Sequence, residues 1–299
     1  MRKLRYYIQS LRLRTLPLSM SGIVTGYSLA YDAGYFNTGV FVLTMLTTVF
    51  LQILSNISNE YGDGQNGVDN SLRVGPIRSL QTGALSMKDF KKMIFLFVFL
   101  SSISGLLLIV VSFGTVFCIE GLIMLSLGLL AIAAAIKYTV GENNYGYKGF
   151  GDVAVFIFFG LAGVAGVYYL SAHNLAPDIF LPATGIGMFS VGVLNVNNIR
   201  DRQSDKECNK NTLVVKLGEK KAKIYHFALI AAGWLCFIIH TAFHCDNLWN
   251  WLYLLLLPLY AIHLLAVFRY SDHKLDVQLR NLSLMTFLLS ILYGISLII

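Results

Sequence analysis

FVLTMLTTVFLQILSNISNEYGDGQNGVDN, residues 41–70, joins two kinds of sequence. Up to Ile57 it is long enough and apolar enough to cross a bilayer, where about 20 such residues are needed. It then turns polar within three residues and offers Asn59, Glu60, Asp63 and Asp69, with almost no basic residue adjacent in the chain to pair them. The apolar run decides the fold class, and the acids raise the question of function.

The same apolar pattern recurs along the chain. Of 299 residues 56% are hydrophobic and 13% charged, where a soluble domain carries about a quarter. Mean hydropathy is +0.64. Nine candidate spans lie near 16–36, 38–58, 93–112, 115–136, 153–172, 178–198, 224–243, 248–268 and 281–299. Apolar on all faces, they predict transmembrane helices, not the short alternating strands of a barrel. Gly and Ala within them allow close helix contact. The expected architecture is an all-α integral membrane bundle of about nine helices, forming one domain over 1–299. Cys118, Cys208, Cys236 and Cys245 show neither zinc-site nor disulfide spacing, and none of the six histidines is expected to be a ligand.

All 23 Lys and Arg fall in the N-terminal segment or in the regions after spans 2, 4, 6 and 8. The loops between (YDAGYFN, SFGT, SAHNLAPD, HTAFHCDN) have none. The positive-inside rule then puts the N-terminus and these regions in the cytoplasm and, with nine spans, the C-terminus outside. The net charge of +7 reports topology, not a nucleic-acid surface.

A second acidic motif, NVNNIRDRQSD (195–205), ends span 6. Asn197, Asp201 and Asp205 are spaced to share one helix stripe, as are Asn59 and Asp63. Gly62, Gly64 and Gly67 are expected to break the first helix so that Asp69 folds back. The repeated Asn-x-x-x-Asp suggests two related halves around a shared site. Carboxylates of this kind suit Mg²⁺ carrying substrate phosphates, and a diphosphate would bridge two such clusters. On this reading the acids lack side-chain partners because a metal–diphosphate is their partner. Arg73, Arg78, Lys137, Arg200 and Lys210 would balance the charge.

RLRTLPLS (11–18), NEYGDGQNGVDN (59–70), RVGPIRSLQTGALS (73–86), KYTVGENNYGYKGFGD (137–152) and LNVNNIRDRQSDKECNKNTLVVKLG (194–218) together resemble the UbiA superfamily of intramembrane aromatic prenyltransferases. The nearest likeness is the branch acting on 1,4-dihydroxy-2-naphthoate in menaquinone synthesis. The resemblance implies a helical bundle around a central cavity, with a polar cap on the cytoplasmic side, in a bacterial inner membrane. It implies Mg²⁺ held by Asn59, Asp63 and Asp69 on one side and by Asn197, Asp201 and Asp205 on the other. Arg73, Arg78 and Lys210, with Arg14 and Lys137, would bind diphosphate. Tyr138, Tyr145 and Tyr147 would line the reacting pocket. Polyprenyl diphosphate would donate its chain to the naphthoate with loss of CO2 and diphosphate, giving demethylmenaquinone. Asp152 is either the N-cap of span 5 or a catalytic group that orients the naphthol or pairs with a loop lysine. Glu60 stands where the family usually has Asp. It is off the Asn59/Asp63 face, so metal binding is not expected to suffer.

Alternatives are a related enzyme with another acceptor such as 4-hydroxybenzoate, a CDP-alcohol phosphatidyltransferase, or a cation-coupled transporter. The phosphatidyltransferase motif needs Ala-Arg after its Asp-Gly, which this chain lacks. A transporter would favour acids near the bilayer midplane.

Overall fold

Long helices dominate the computed structural model, which describes residues 2–68, 74–75, 77–142, 144–271 and 273–299. Asp69 and Arg73 lie outside the described residues. Among the described residues there is no strand. We label the helices α1 (Arg2–Leu11), α2 (Leu16–Asp32), α3 (Thr38–Gln65), α4 (Met87–Phe113), α5 (Ile119–Lys137), α6 (Gly151–Ala172), α7 (Phe180–Glu207), α8 (Leu213–Leu217), α9 (Glu219–His244), α10 (Leu248–Arg269) and α11 (Leu275–Ile298). Eight of these are long and apolar enough to cross a membrane. The first expected span, α2, has 17 residues, or about 25 Å of helix, at the short end of what crosses a bilayer.

The helices outrun the apolar windows that predict them. Hydropathy fades where a span leaves the lipid, but backbone hydrogen bonding does not. Helix α4 starts at Met87 because Ser86 and Asp89 form a reciprocal capping box. Helix α3 runs through Gly62 and Gly64 to Gln65, so these glycines do not break it as expected. Gly62 permits close approach instead: a Cβ there would stand 2.6 Å from the backbone of Thr139. The turn comes at Gly67, whose φ of +68° favours glycine.

Two of the apolar cores among the described residues position the site. One gathers α3, α4 and the loop between them around Ile53, Ile57, Leu85 and Phe90. The other joins α2, α6, α7, α9, α10 and α11 around Phe189, Trp234, Phe237, Tyr253, Tyr260 and Tyr293. Exposed Phe95, Phe99, Leu122 and Leu130 form a surface suited to lipid.

Polar loops meet at one end. Ser10 of α1 bonds Ser79 at 3.0 Å, and the Asn211 amide donates to the Tyr147 carbonyl at 2.9 Å. The N-terminal segment and the loops after α3, α5 and α7 thus form a polar cap over the ends that carry the acid motifs. We call this the basic face.

Candidate active site

Continuation of α3 to Gln65 puts Asn59 and Asp63 one turn apart on a regular helix. Thr139, just past α5, fixes that end: its hydroxyl donates to the Ser58 carbonyl at 3.0 Å and to Asn59 Oδ1 at 3.3 Å. Asp63 is buried and has side-chain partners. Arg78 Nη1 pairs with its Oδ2 at 2.8 Å, and Tyr147 Oη donates to its Oδ1 at 2.6 Å. The expectation that these acids lack protein partners is therefore corrected for Asp63. A cation 15 positions on reaches it because the loop folds back over the helix end.

Glu60 sets that fold-back. Its carboxylate is buried and accepts from the Leu80 amide at 3.2 Å, while Arg12 Nη2 lies 3.9 Å from its other oxygen. The longer side chain at this position holds the loop that delivers Arg78.

The second cluster lies wholly within α7, so Asn197, Asp201 and Asp205 share one stripe. Arg200 grips Asp201 in a forked pair, at 2.9 Å from Nε and 2.5 Å from Nη2. It also donates to Asn197 Oδ1 at 2.9 Å and pairs with Asp276 of α11. Arg200 is therefore committed to organising its own cluster and is not the free phosphate contact expected. Asp205 is buried and pairs with Lys210 Nζ at 3.4 Å through Oδ1. Its Oδ2 is buried with no hydrogen-bond partner. An orphaned hard oxygen beside Asp201 fits a Mg²⁺ ligand.

Lys210 joins the clusters. Its Nζ lies 5.3 Å from the Tyr147 ring centre, and it feels the charges of Asp63, Asp205 and Asp201. Burial alone would depress its pKa, but the carboxylates hold it above the ordinary lysine value. Burial and then the Asp63 charge push the Tyr147 phenol well above its usual range, so it stays a donor. Tyr138 is raised too, first by burial, and lies within electrostatic reach of Asp63, Asp205 and Asp152. The Tyr145 ring meets Tyr138 edge-on at 5.3 Å. Its hydroxyl donates to the Ala134 carbonyl at 2.9 Å, and burial pushes its pKa up to about 12.

Arg14, on the turn before α2, lies within electrostatic reach of Asp276, Arg200 and Arg78 and so belongs to the site's surroundings. Lys137 does not. It is exposed at the end of α5 and forms no ion pair among the described residues. One residue is about 100° of helix, so the step that brings Tyr138 toward the acids sends Lys137 to solvent.

Asp152 is not the N-cap of α6. Phe150 holds that position, and Asp152 lies inside the first turn. Nor does it pair with a loop lysine: its Oδ2 accepts from Tyr225 Oη of α9 at 3.0 Å. This pair stands at the polar end of a groove of about 420 Å³ walled by Phe156, Met188, Val191 and Leu229. Sequence reasoning missed Tyr225 and Asp276, since neither lies in a motif. It also passed over a visible spacing: His240 and His244 are four apart on α9 and converge with Asp178.

A family model described as the UbiA prenyltransferase family matches residues 19–291. The chain is 42% identical to 1,4-dihydroxy-2-naphthoate octaprenyltransferase of Haemophilus influenzae, over 99% of this chain and 97% of that protein. It is 43% identical to the enzyme of the same name from Escherichia coli, over 89% and 86%. In fold it is similar to a UbiA homolog from Archaeoglobus fulgidus bound to DMAPP and Mg²⁺, with a TM-score of 0.63 and 17% identity over 96% and 98% of the two chains. A UbiA homolog from Aeropyrum pernix gives a TM-score of 0.64 at 16% identity over 97% of each.

Proposed function

The chain belongs to the UbiA prenyltransferase family, and from that premise we propose that it transfers a polyprenyl chain from its diphosphate to 1,4-dihydroxy-2-naphthoate. It does so as a single multi-pass domain over residues 1–299, with the basic face in the cytoplasm and the C-terminus outside. One observation carries the assignment of the site. Two carboxylate-bearing helix ends, fixed by different neighbours, are joined through Lys210 and Tyr147, with Arg78 beside them.

Asn59 and Asp63 on one side and Asn197, Asp201 and Asp205 on the other would hold Mg²⁺. The sequence adds Asp69, as it adds Arg73 to the diphosphate contacts. When bound, Mg²⁺ would supply Lewis-acid neutralisation of charge on a diphosphate leaving group. Arg78, Lys210 and Arg14 supply the remaining positive charge, placed in advance where negative charge develops. Ion pairs of Asp63 with Arg78 and of Asp205 with Lys210 keep these buried charges balanced before substrate arrives. A diphosphate then takes over the cations.

The bond electrons leave with the diphosphate, and the allylic carbon becomes electron-poor. Tyr138 and Tyr145 line its surroundings with aromatic faces that favour a cation and, as neutral phenols, do not capture it. Asp152, held by Tyr225, orients the naphthol hydroxyl. The carboxylate-bearing ring carbon forms the new C–C bond. The carboxylate departs as CO2, and its bonding pair restores the aromatic ring, leaving the quinol of demethylmenaquinone.

The test is prenyl transfer by purified protein in lipid, with dihydroxynaphthoate and a polyprenyl diphosphate, with and without Mg²⁺. A Mg²⁺-dependent, lipid-soluble quinol is expected. Product from 4-hydroxybenzoate but not from the naphthoate would keep the family and remove the acceptor. Asp152→Asn with full activity would remove the role given to Asp152.

A further inference from the structure

We propose that Asp178, His240 and His244 form a second metal site, for Zn²⁺ or a cation of similar chemistry, at the end of the bundle opposite the acid motifs. It is separate from the transfer site. Asp178 lies just before α7, and Asp201 is about 30 Å further along that helix at 1.5 Å per residue.

Three ligand atoms converge there. His244 Nε2 lies 2.9 Å from Asp178 Oδ2, and His240 Nε2 lies 3.9 Å from the same oxygen. All three atoms fall within 4.8 Å of one another. A tetrahedral ion with bonds of about 2.0–2.2 Å needs only small side-chain movements to fit. The two imidazoles sit at i and i+4 on α9 with their rings stacked, centres 4.4 Å apart, a spacing that suits paired zinc ligands.

Hydrogen bonds fix which nitrogens are available. His244 Nδ1 lies 2.9 Å from the His240 carbonyl, which only accepts, so Nδ1 carries the proton. In a neutral ring Nε2 is then an acceptor, and it faces a carboxylate oxygen at 2.9 Å. Two acceptors at that distance need a shared cation, either a proton or a metal ion. His240 favours the metal. Its side chain is buried, at 2% exposure, yet its Nε2 has no hydrogen-bond partner and points toward Asp178. Its Nδ1 is 2.8 Å from Tyr293 Oη. Donation from Nδ1 to that oxygen would leave the Nε2 lone pair for an ion, the kind of outer contact that orients metal-bound imidazoles. Asp32, at the end of α2, is within electrostatic reach of His244 and adds negative charge. Asp178 and His244 are partly open, giving an ion a path in.

The donor set selects the metal. Two imidazoles and one carboxylate suit Zn²⁺, Ni²⁺ or Cu²⁺ above Mg²⁺. The ion would clasp the start of α7 to the end of α9, with Tyr293 of α11 behind it. It would act as a structural clasp remote from the chemistry.

The experiment is zinc binding by the full chain in detergent, after chelator treatment and in excess Mg²⁺ to hold the oxygen-rich sites. Bound zinc is read by competition with a chromophoric chelator, and Co²⁺ substitution reports geometry through its visible bands. One equivalent of zinc per chain is expected, with tetrahedral Co²⁺ bands and a higher melting temperature in zinc. His244→Gln and Asp178→Asn, both at partly exposed positions, are expected to weaken binding at least about tenfold while the zinc-free melting profile stays close to the parent's. No zinc uptake by the parent chain would overturn the proposal and make the shared cation a proton. So would uptake with unchanged affinity in both variants.

Discussion

Helix ends α3 and α7 carry the same Asn-x-x-x-Asp spacing, and the protein neutralises them in different ways. Asp63 is held from outside its helix, by Arg78 from the following loop and Tyr147 from the loop after α5. Asp201 is held from within, by Arg200 one residue away, and that arginine also reaches Asn197 and Asp276. The first cluster is assembled from a helix end and two loops. The second is prearranged on one helix and braced by α11.

The largest effect should come from either acid itself. Asp63→Asn and Asp201→Asn should each lower the transfer rate by at least about 10²–10³, measured at saturating substrates and Mg²⁺. A variant with near-parental turnover would remove that cluster from the site.

Arginine replacements separate the two arrangements. Arg200→Gln breaks the forked pair on buried Asp201, and breaking a buried pair costs about 3–5 kcal/mol. Asp276, at 30% side-chain exposure, is screened, so the lower end is expected in a thermal or denaturant melt. Arg78→Gln also breaks a buried pair but leaves the Tyr147 donor on Asp63, whereas Arg200 also holds Asn197 and Asp276. It should be milder for stability but should raise the KM for prenyl diphosphate at least tenfold, the loss of about 1.4 kcal/mol of binding. If Arg78→Gln destabilises as strongly as Arg200→Gln, the distinction between a loop-held and a prearranged cluster fails.

Tyr147→Phe tests the loop contact alone. It removes the donor 2.6 Å from Asp63 and leaves the ring beneath Lys210. Outer contacts to metal ligands are worth about 10–100-fold in metal affinity. The Mg²⁺ concentration for half-maximal rate should therefore rise about tenfold, with the rate restored at high Mg²⁺. A fall in rate that Mg²⁺ does not restore would assign Tyr147 to the chemistry instead.

The same contrast explains what sequence reading reached. Spans are legible because a bilayer imposes length and apolarity on each segment separately, and the Asp motifs because helical spacing makes neighbours of i and i+4. What lay beyond were contacts between elements distant in the chain. Tyr225 with Asp152, Asp276 with Arg200 and Glu60 with the Leu80 amide depend on how helices and loops dock, which spacing does not encode. Lys137 is exposed for a local reason: adjacent residues on a helix face different ways. His240 and His244 were visible as HTAFH, but their third partner, Asp178, comes from the loop between α6 and α7.

The smallest effect is a pH dependence, and it bears on the residue shared by both clusters. Lys210 has a pKa above the ordinary lysine value because Asp63 and Asp205 outweigh its burial. A group whose pKa rises on folding stabilises the fold fully below its unfolded value, about 10.4 for lysine, and that contribution fades as pH climbs through the raised value. In Mg²⁺-free protein the stability difference between the parent and Lys210→Met should therefore stay level from pH 7 to about 9.5 and shrink only above about 10.4. Mg²⁺ binding to the acids would compete with Lys210 for their charge, so added Mg²⁺ should reduce the difference at every pH. A difference that instead grows in the parent's favour as pH rises from 7 toward 10 would mean that burial dominates at Lys210, and that it does not bridge the two acid clusters.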